Sequence, residues 1–266
     1  MIIFGSKMYG KKNVVAGVGS CPHCGAYVRH TSYDARKFGH VYFIPLIPAG
    51  GPVRVMKECT KCKMGSHIPL PQVQVLYARI ESLMQPCILA ASEGRRKFTD
   101  PEHGEELHGG SFLLESIDML YTSGNAGEIG ELIGLLDNDA ARFEHAIARG
   151  AMHEIEGRAP EAYAQYEAAM QAAPNESLPC LLMADFCSRA GKHQDALTLL
   201  ERALELEPDN VHIVLAMAGP LELMGRFEEL SALLDKAVAM APELERDKGF
   251  MKLRKKFAKK AAKSAR

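Results

Sequence analysis

The sequence predicts a multidomain α+β chain, a small β region followed by an all-α superhelical solenoid, and two patterns carry that prediction. The first is a fixed period. Gly157, Gly191 and Gly225 lie 34 residues apart, and so do Ala169, Ala203 and Ala237, and Pro174, Pro208 and Pro242. A constant period of this length marks stacked helix–turn–helix units, none of which can bury its apolar face without a neighbour. The second pattern is cysteine spacing. Four of the seven cysteines form two CxxC pairs, Cys21/Cys24 and Cys59/Cys62.

Composition bounds the reading. With 47% hydrophobic and 24% charged residues over 266 positions, the chain is expected to be ordered and to need more than one core. No apolar run approaches the roughly 18 residues of a membrane helix. The stretch before Lys7, Lys11 and Lys12 is too short for a leader's apolar core. The expectation is a soluble, cytoplasmic protein without a membrane partner. The net charge of −1 hides segregation: +9 over 1–80, −8 over 81–142, −10 over 143–244 and +8 over 245–266. The two basic ends allow nucleic acid as an alternative partner.

The N-terminal 1–67 is the candidate metal region. Short strands around Ile2-Ile3-Phe4 and Val14, Val15 and Val18 lead into Cys21-Pro22-His23-Cys24-Gly25. Glycine after the second cysteine permits the backbone turn that aims N–H groups at thiolates; Gly65 stands in the corresponding stretch of the second knuckle, Cys59-Thr60-Lys61-Cys62. Four cysteines so paired predict one tetrahedral, structural zinc ion held by Cys21, Cys24, Cys59 and Cys62. The long interval between the knuckles requires an intervening hairpin. His23 and His67 are not needed as ligands. The CPHC motif also allows a thiol oxidoreductase, but that chemistry needs the first cysteine at a helix N-terminus, and Ala26–Arg29 and Thr31–Tyr33 read as strand. With the Phe43-Ile44-Pro45-Leu46-Ile47-Pro48 segment, residues 1–65 resemble a small family of bacterial zinc-ribbon proteins, a resemblance that implies the fold and no activity.

Between ribbon and array, 68–110 reads as a connecting helix and a polar linker. Val73, Leu76, Tyr77, Ile80, Leu83 and Met84 predict an amphipathic helix over 72–85, stopped or kinked by Pro86. Residues 92–110, which include His103 and His108, read as a solvated loop. Residues 111–142 read as a degenerate helical hairpin capping the array, and the array from 111 onward is expected to fold alone.

Residues 143–244 resemble the tetratricopeptide repeat family, with units at 143–176, 177–210 and 211–244. Each second helix opens with glycine and carries an apolar stripe: Ala162, Tyr166 and Ala169, then Ala196, Leu200 and Ala203, then Leu230, Leu234 and Ala237. Cys180 and Cys187 fall on a packing face, as core thiols. Gly219-Pro220 is expected to kink the first helix of the last unit. The resemblance implies a concave groove formed by Glu144, Ile147, Ala151, Glu154 and Ile155, by Leu178, Leu181, Asp185, Ser188 and Arg189, and by His212, Leu215, Gly219, Glu222 and Leu223. Its aliphatic and acidic character fits a protein segment with an apolar stripe beside Lys or Arg. Residues 245–266 form a basic capping helix or tail. Without a phosphate loop, nucleophile elbow or HExxH motif, the sequence predicts a non-catalytic protein-interaction scaffold. It assigns no oligomeric state.

Overall fold

The computed structural model describes residues 4–41 and 44–264. Ile2 and Ile3 at the start, and Tyr42 and Phe43 at the head of the proline-containing segment, lie outside the described residues. The chain divides into two compact units, Met1–Gln165 and Tyr166–Arg266.

The first unit opens with a four-stranded antiparallel meander in the order β1 (Phe4–Ser20), β2 (Tyr27–Val41), β3 (Ile44–Cys59) and β4 (Ser66–Pro69). In place of the expected short strands, β1 is one element of 17 residues. It stays paired through two register shifts, between Tyr9 and Lys12 and between Lys12 and Val15, where Asn13 takes φ +48°. Such irregularities increase local twist and let a long strand bend. The interval between the knuckles is the β2–β3 hairpin, whose register pairs His30 with Cys59. That register brings both CxxC turns to one end of the sheet. Among the residues whose burial is described, Tyr33, Ala35 and Val55 form a small apolar cluster within the ribbon.

Helix α1 (Leu70–Ser92) follows. It continues through Pro86, where the sequence predicted a stop or a kink. Proline removes one backbone donor, but Leu83, Cys87, Ala90 and Ala91 on either side are buried in the unit's main core, and that burial outweighs the lost hydrogen bond. The polar 92–110 stretch is not a structureless loop. It forms the hairpin β5 (Lys97–Thr99) and β6 (Glu106–His108). Phe98 enters the core, and Asp100 is buried at the turn. There Asp100 accepts from the N–H groups of Glu102 and His103 and pairs with Arg79. Burial raises the Asp100 carboxyl, but Arg79 and these donors prevail and hold it well below the usual carboxylate range. His108 ends the hairpin by accepting from the N–H of Ser111, capping the next helix.

Helices α2 (Gly109–Ser123), α3 (Ala126–Leu135) and α4 (Arg142–Ile155) complete the core, in which Leu113, Ile117, Ile129 and Leu136 are fully buried. Because α1 and β5 supply Leu83, Cys87 and Phe98 to this same core, a fragment starting at residue 111 would lack part of it. The unit boundary falls inside α5 (Ala159–Ala172).

In the second unit, α6 (Leu178–Arg189) packs on α7 (His193–Leu206), and α8 (Val211–Ala216) and α9 (Ala218–Leu223) precede α10 (Phe227–Met240). A short 3-10 turn, Pro242–Arg246, leads to α11 (Lys248–Ser264). The periodic glycines Gly157, Gly191 and Gly225 adopt φ of +79°, +75° and +71°. They occupy the left-handed position where a helix ends and a side chain would be strained. The periodic small residues Ala162, Ala169, Ala196, Ala203 and Ala237 are all 0% exposed. The break between α8 and α9 lies where Gly219-Pro220 predicted it. Pro220 cannot donate to the carbonyl four residues back.

The ribbon is fixed to the helices of its own unit by Arg54, only 1% exposed on β3. Its Nε and Nη2 donate to the carbonyl of Thr122 at 2.8 and 2.7 Å, and Nη1 donates to the Asn13 carbonyl and to Asp34 at 2.8 and 3.0 Å. Thr122 lies in the last turn of α2, where carbonyls lack helical partners and the helix dipole favours a cation. Replacing Arg54 with Met keeps much of the stem but orphans two carbonyls and a carboxylate. Urea unfolding followed in the first unit should show a loss of about 3 kcal/mol; an unchanged midpoint would contradict this role.

Candidate metal centre and candidate groove

The first knuckle is closed by two backbone hydrogen bonds, Cys21 N–H to Ala26 O and Gly25 N–H to Cys21 O, both 2.9 Å, with Gly25 at φ +66°. The second repeats the geometry: Cys59 N–H donates to Met64 O and Lys63 N–H to Cys59 O, again at 2.9 Å. The residue in the left-handed position there is Lys63, at φ +61°, and not Gly65. Gly65 serves close packing, since an added Cβ would lie 3.0 Å from both the Glu58 Cα and the Met56 carbonyl oxygen.

The Sγ atoms of Cys21, Cys24, Cys59 and Cys62 all lie within 4.8 Å of one another, with Cys21–Cys62 at 3.7 Å and Cys24–Cys59 at 3.9 Å. Four sulfurs at a zinc–sulfur bond of about 2.3 Å in a tetrahedron stand about 3.8 Å apart, so the thiols fit that ion. These separations far exceed a disulfide bond of about 2.05 Å. The N–H groups of Lys61 and Cys62 point at Cys59 Sγ, at 3.4 and 3.5 Å. The Cys62 N–H is the main cause drawing the Cys59 thiol down to about 6. The Met64 N–H pulls on Cys62, but burial and three neighbouring sulfurs push it up to about 11. Such a cluster cannot hold several negative charges without a cation among them. Cys21 lies on a β-hairpin turn and not at a helix N-terminus, so the geometry that lowers the first thiol of an oxidoreductase motif is absent at Cys21. His23 and His67 are exposed. Cys87 is buried, and burial, with Glu144 nearby, pushes its thiol up to about 12; Cys180 is raised by burial as well. Both are core thiols.

The groove positions inferred from the repeat resemblance separate into three groups. Those on α4 belong to the interior of the first unit. Glu144 and Ile147 are 1% and 0% exposed, and Glu144 pairs with Arg96 at 2.6 Å. Burial raises the Glu144 carboxyl although Arg96 draws it down. Ala151 is buried, and Glu154 and Ile155 are half-buried. Strand β1 lies against them: an added Cβ on Gly17 would stand 2.9 Å from Ile155 Cγ2, and the Tyr121 hydroxyl donates to Ala16 O at 2.9 Å. Glu144, Ile147, Ala151 and Ile155 are therefore removed from the candidate groove.

In the second unit, Leu181, Asp185, Ser188 and His212 line a concave cavity of about 330 Å³ with Ala184, Leu200, Asn210, Ile213 and Ala216. Leu181 is half-buried and Asp185, which pairs with Arg189 one turn on, is exposed. Sequence reasoning did not find Asn210 or Ile213. Asn210 announces itself only as an N-cap: it accepts from the N–H of His212 at 3.0 Å and starts α8, which forms one wall. Leu178 and Leu215 are half-buried but outside this cavity.

The third group lies at the end of the array. Leu223 is 67% exposed. Glu222 is engaged by Lys256 at 3.4 Å and Lys260 at 3.9 Å of α11. The basic tail packs on α10, with Phe257 1% exposed and stacked 6.2 Å from Phe227.

Residues 188–246 match the sequence model of the family described as Tetratricopeptide repeat. No curated protein matches the chain. Solved structures similar to it include the TPR2B domain of yeast Sti1 in a pHsp70 complex, at 17% identity over 46% of this chain and 98% of that one, TM-score 0.39. A thermophilic TPR protein of Thermus thermophilus is 21% identical over 72% of this chain and 96% of that one, TM-score 0.38. A tetratricopeptide repeat protein from Parabacteroides merdae is 13% identical over 74% and 73% of the two chains, TM-score 0.40. Among the described residues, no helix is long and apolar enough to cross a membrane.

Proposed function

We propose that this chain is a non-catalytic, cytoplasmic interaction scaffold. Its ribbon is built on one structural zinc ion, and its second unit receives an extended or helical protein segment carrying an apolar side chain flanked by Lys or Arg. The observation that carries the reading is the cavity between α6 and α8. It has an apolar floor of Leu181, Leu200 and Ile213 and an exposed carboxylate, Asp185, at its edge. Its volume is at the lower end of the range of small binding sites, enough for one or two side chains of a bound segment. Apolar anchoring supplies affinity there, and the carboxylate supplies orientation and selection for a basic neighbour. Cys87, Cys180 and Cys187 stand outside disulfides, which suits a reducing compartment.

The metal assignment is checked by elemental analysis of purified protein. One zinc per chain is expected, with Cys21→Ser losing it while the helical signal of the second unit persists. Protein without zinc but with protected β2–β3 amides would contradict it.

The groove is tested by selecting short peptides from a displayed library on the immobilised full chain. Apolar residues beside Lys or Arg should be enriched. Leu181→Ala should weaken selected peptides by about 1–2 kcal/mol, and Asp185→Lys should shift the preference away from basic neighbours. Enrichment of acidic peptides, or equal binding by both variants, would refute the reading.

A further inference from the structure

Helix α11 divides its cations between two jobs. On one side it is anchored to α9 and α10. Phe257 is buried, Arg254 Nε donates to Asp235 at 2.7 Å, and Lys256 and Lys260 engage Glu222. Lys260 also lies over the Phe227 ring at 4.5 Å. These contacts fix the rotation of the helix about its own axis.

On the opposite side stand Lys248, Lys252, Lys255, Lys259 and Lys263, all exposed. Among the described residues none of the five forms an ion pair. Their spacing of four, three, four and four residues confines them to a sector about 80° wide and a line about 22 Å long. Asp247, at the head of the helix, is engaged elsewhere: its Oδ1 accepts the N–H groups of Gly249 and Phe250, at 2.7 and 3.0 Å. Like charges one turn apart repel one another. The array holds them together through the other face of the helix, and an anionic ligand would relieve the repulsion. A shallow depression along this face is lined by Lys248, Met251, Lys252, Lys255, Lys256 and Lys259.

From this geometry we infer that α11 is a docking rail for the phosphate backbone of a nucleic acid, bound without regard to base sequence. A straight row of cations matches a linear polyanion. A helix that lies on a lipid surface must bury its apolar face in that surface, and here that face is committed to α10 through Phe257 and Phe227. The rail carries no aromatic side chain on which a base could stack. Its contacts are therefore to phosphate, which position a protein but do not read sequence. The rail leaves the α6–α8 cavity free, so a protein segment and a nucleic acid could be held by one unit.

The test uses the full chain and a labelled duplex of about 20 base pairs, followed by fluorescence anisotropy between roughly 50 and 200 mM salt. Five phosphate contacts predict that log K falls with log salt at a slope near −4.5. Lys252→Glu, Lys255→Glu and Lys259→Glu together should lower affinity at least 100-fold and flatten the slope by about 3 units. A control triple elsewhere in the second unit, Lys192→Glu, Arg202→Glu and Lys236→Glu, makes the same change in net charge and should cost less than a few-fold. Scrambling the duplex sequence should change nothing. The inference is overturned by failure to bind at low salt, by equal losses in the two triples, or by tighter retention on phosphatidylserine-containing vesicles than on the duplex. Unchanged circular dichroism of the rail variant excludes unfolding as the cause of its loss, and a Lys→Gln triple at the same sites should show an intermediate loss.

Discussion

A guanidinium sealed between a sheet and a helix end sets the geometry of the first unit. Arg54 is taken almost wholly out of water, which is costly unless its donors are satisfied. They are met by the Thr122 carbonyl at the end of α2, the Asn13 carbonyl and Asp34. Each partner comes from a different element, so the ion works only if β1, β2, β3 and α2 sit in one arrangement. Asn13 reaches it by a left-handed backbone at a bulge of β1. Lys57, also left-handed, adds a salt bridge to Asp118 of α2 at 2.7 Å. At the far end of the ribbon the four thiols gather the two knuckle turns. The Arg54 clamp and the thiol cluster thus tie down opposite parts of the sheet.

The clamp has a consequence for the repeats. Once β3 is fixed to α2, strand β1 comes to lie across α4, and Gly17 is the residue that permits the approach to Ile155. The face of α4 that would be concave in an isolated repeat is occupied by the protein's own strand and by Arg96, which pairs with Glu144. At the other end, α11 engages Glu222. The cavity at α6–α8 combines apolar side chains, Leu181, Leu200 and Ile213, with the Asp185 carboxylate.

Much of this was legible in the sequence because it is periodic or local. Gly157, Gly191 and Gly225 are read from their spacing because a helix C-terminus in the left-handed conformation selects glycine, and Ala169, Ala203 and Ala237 because helices cross closely there. The CxxC pairs are short-range chemistry. Pro220 broke its helix where the local rule said it would. Pro86 did not, because burial of Leu83, Cys87, Ala90 and Ala91 overrode the same rule. Polar residues over 92–110 resembled a loop, and the hairpin became visible only with Asp100 accepting the turn's N–H groups and Phe98 buried beneath. Arg54 carried no signal: a single basic residue in a strand looks exposed, and its partner Thr122 is distant in sequence. The α4 groove positions failed for the same long-range reason, since repeat spacing cannot reveal that another part of the chain covers a repeat.

Tied by Arg54 and by the contact of Gly17 with Ile155, the ribbon and helices α2 and α4 stand or fall together, while the second unit keeps a fold of its own. Hydrogen–deuterium exchange of the full chain before and after removal of bound metal tests this most directly. Loss of protection should spread from β1–β3 into the end of α2 around Thr122 and the end of α4 around Ile155, with α6, α7 and α10 unchanged. Exchange confined to the two knuckles, or a uniform loss through α10, would contradict it.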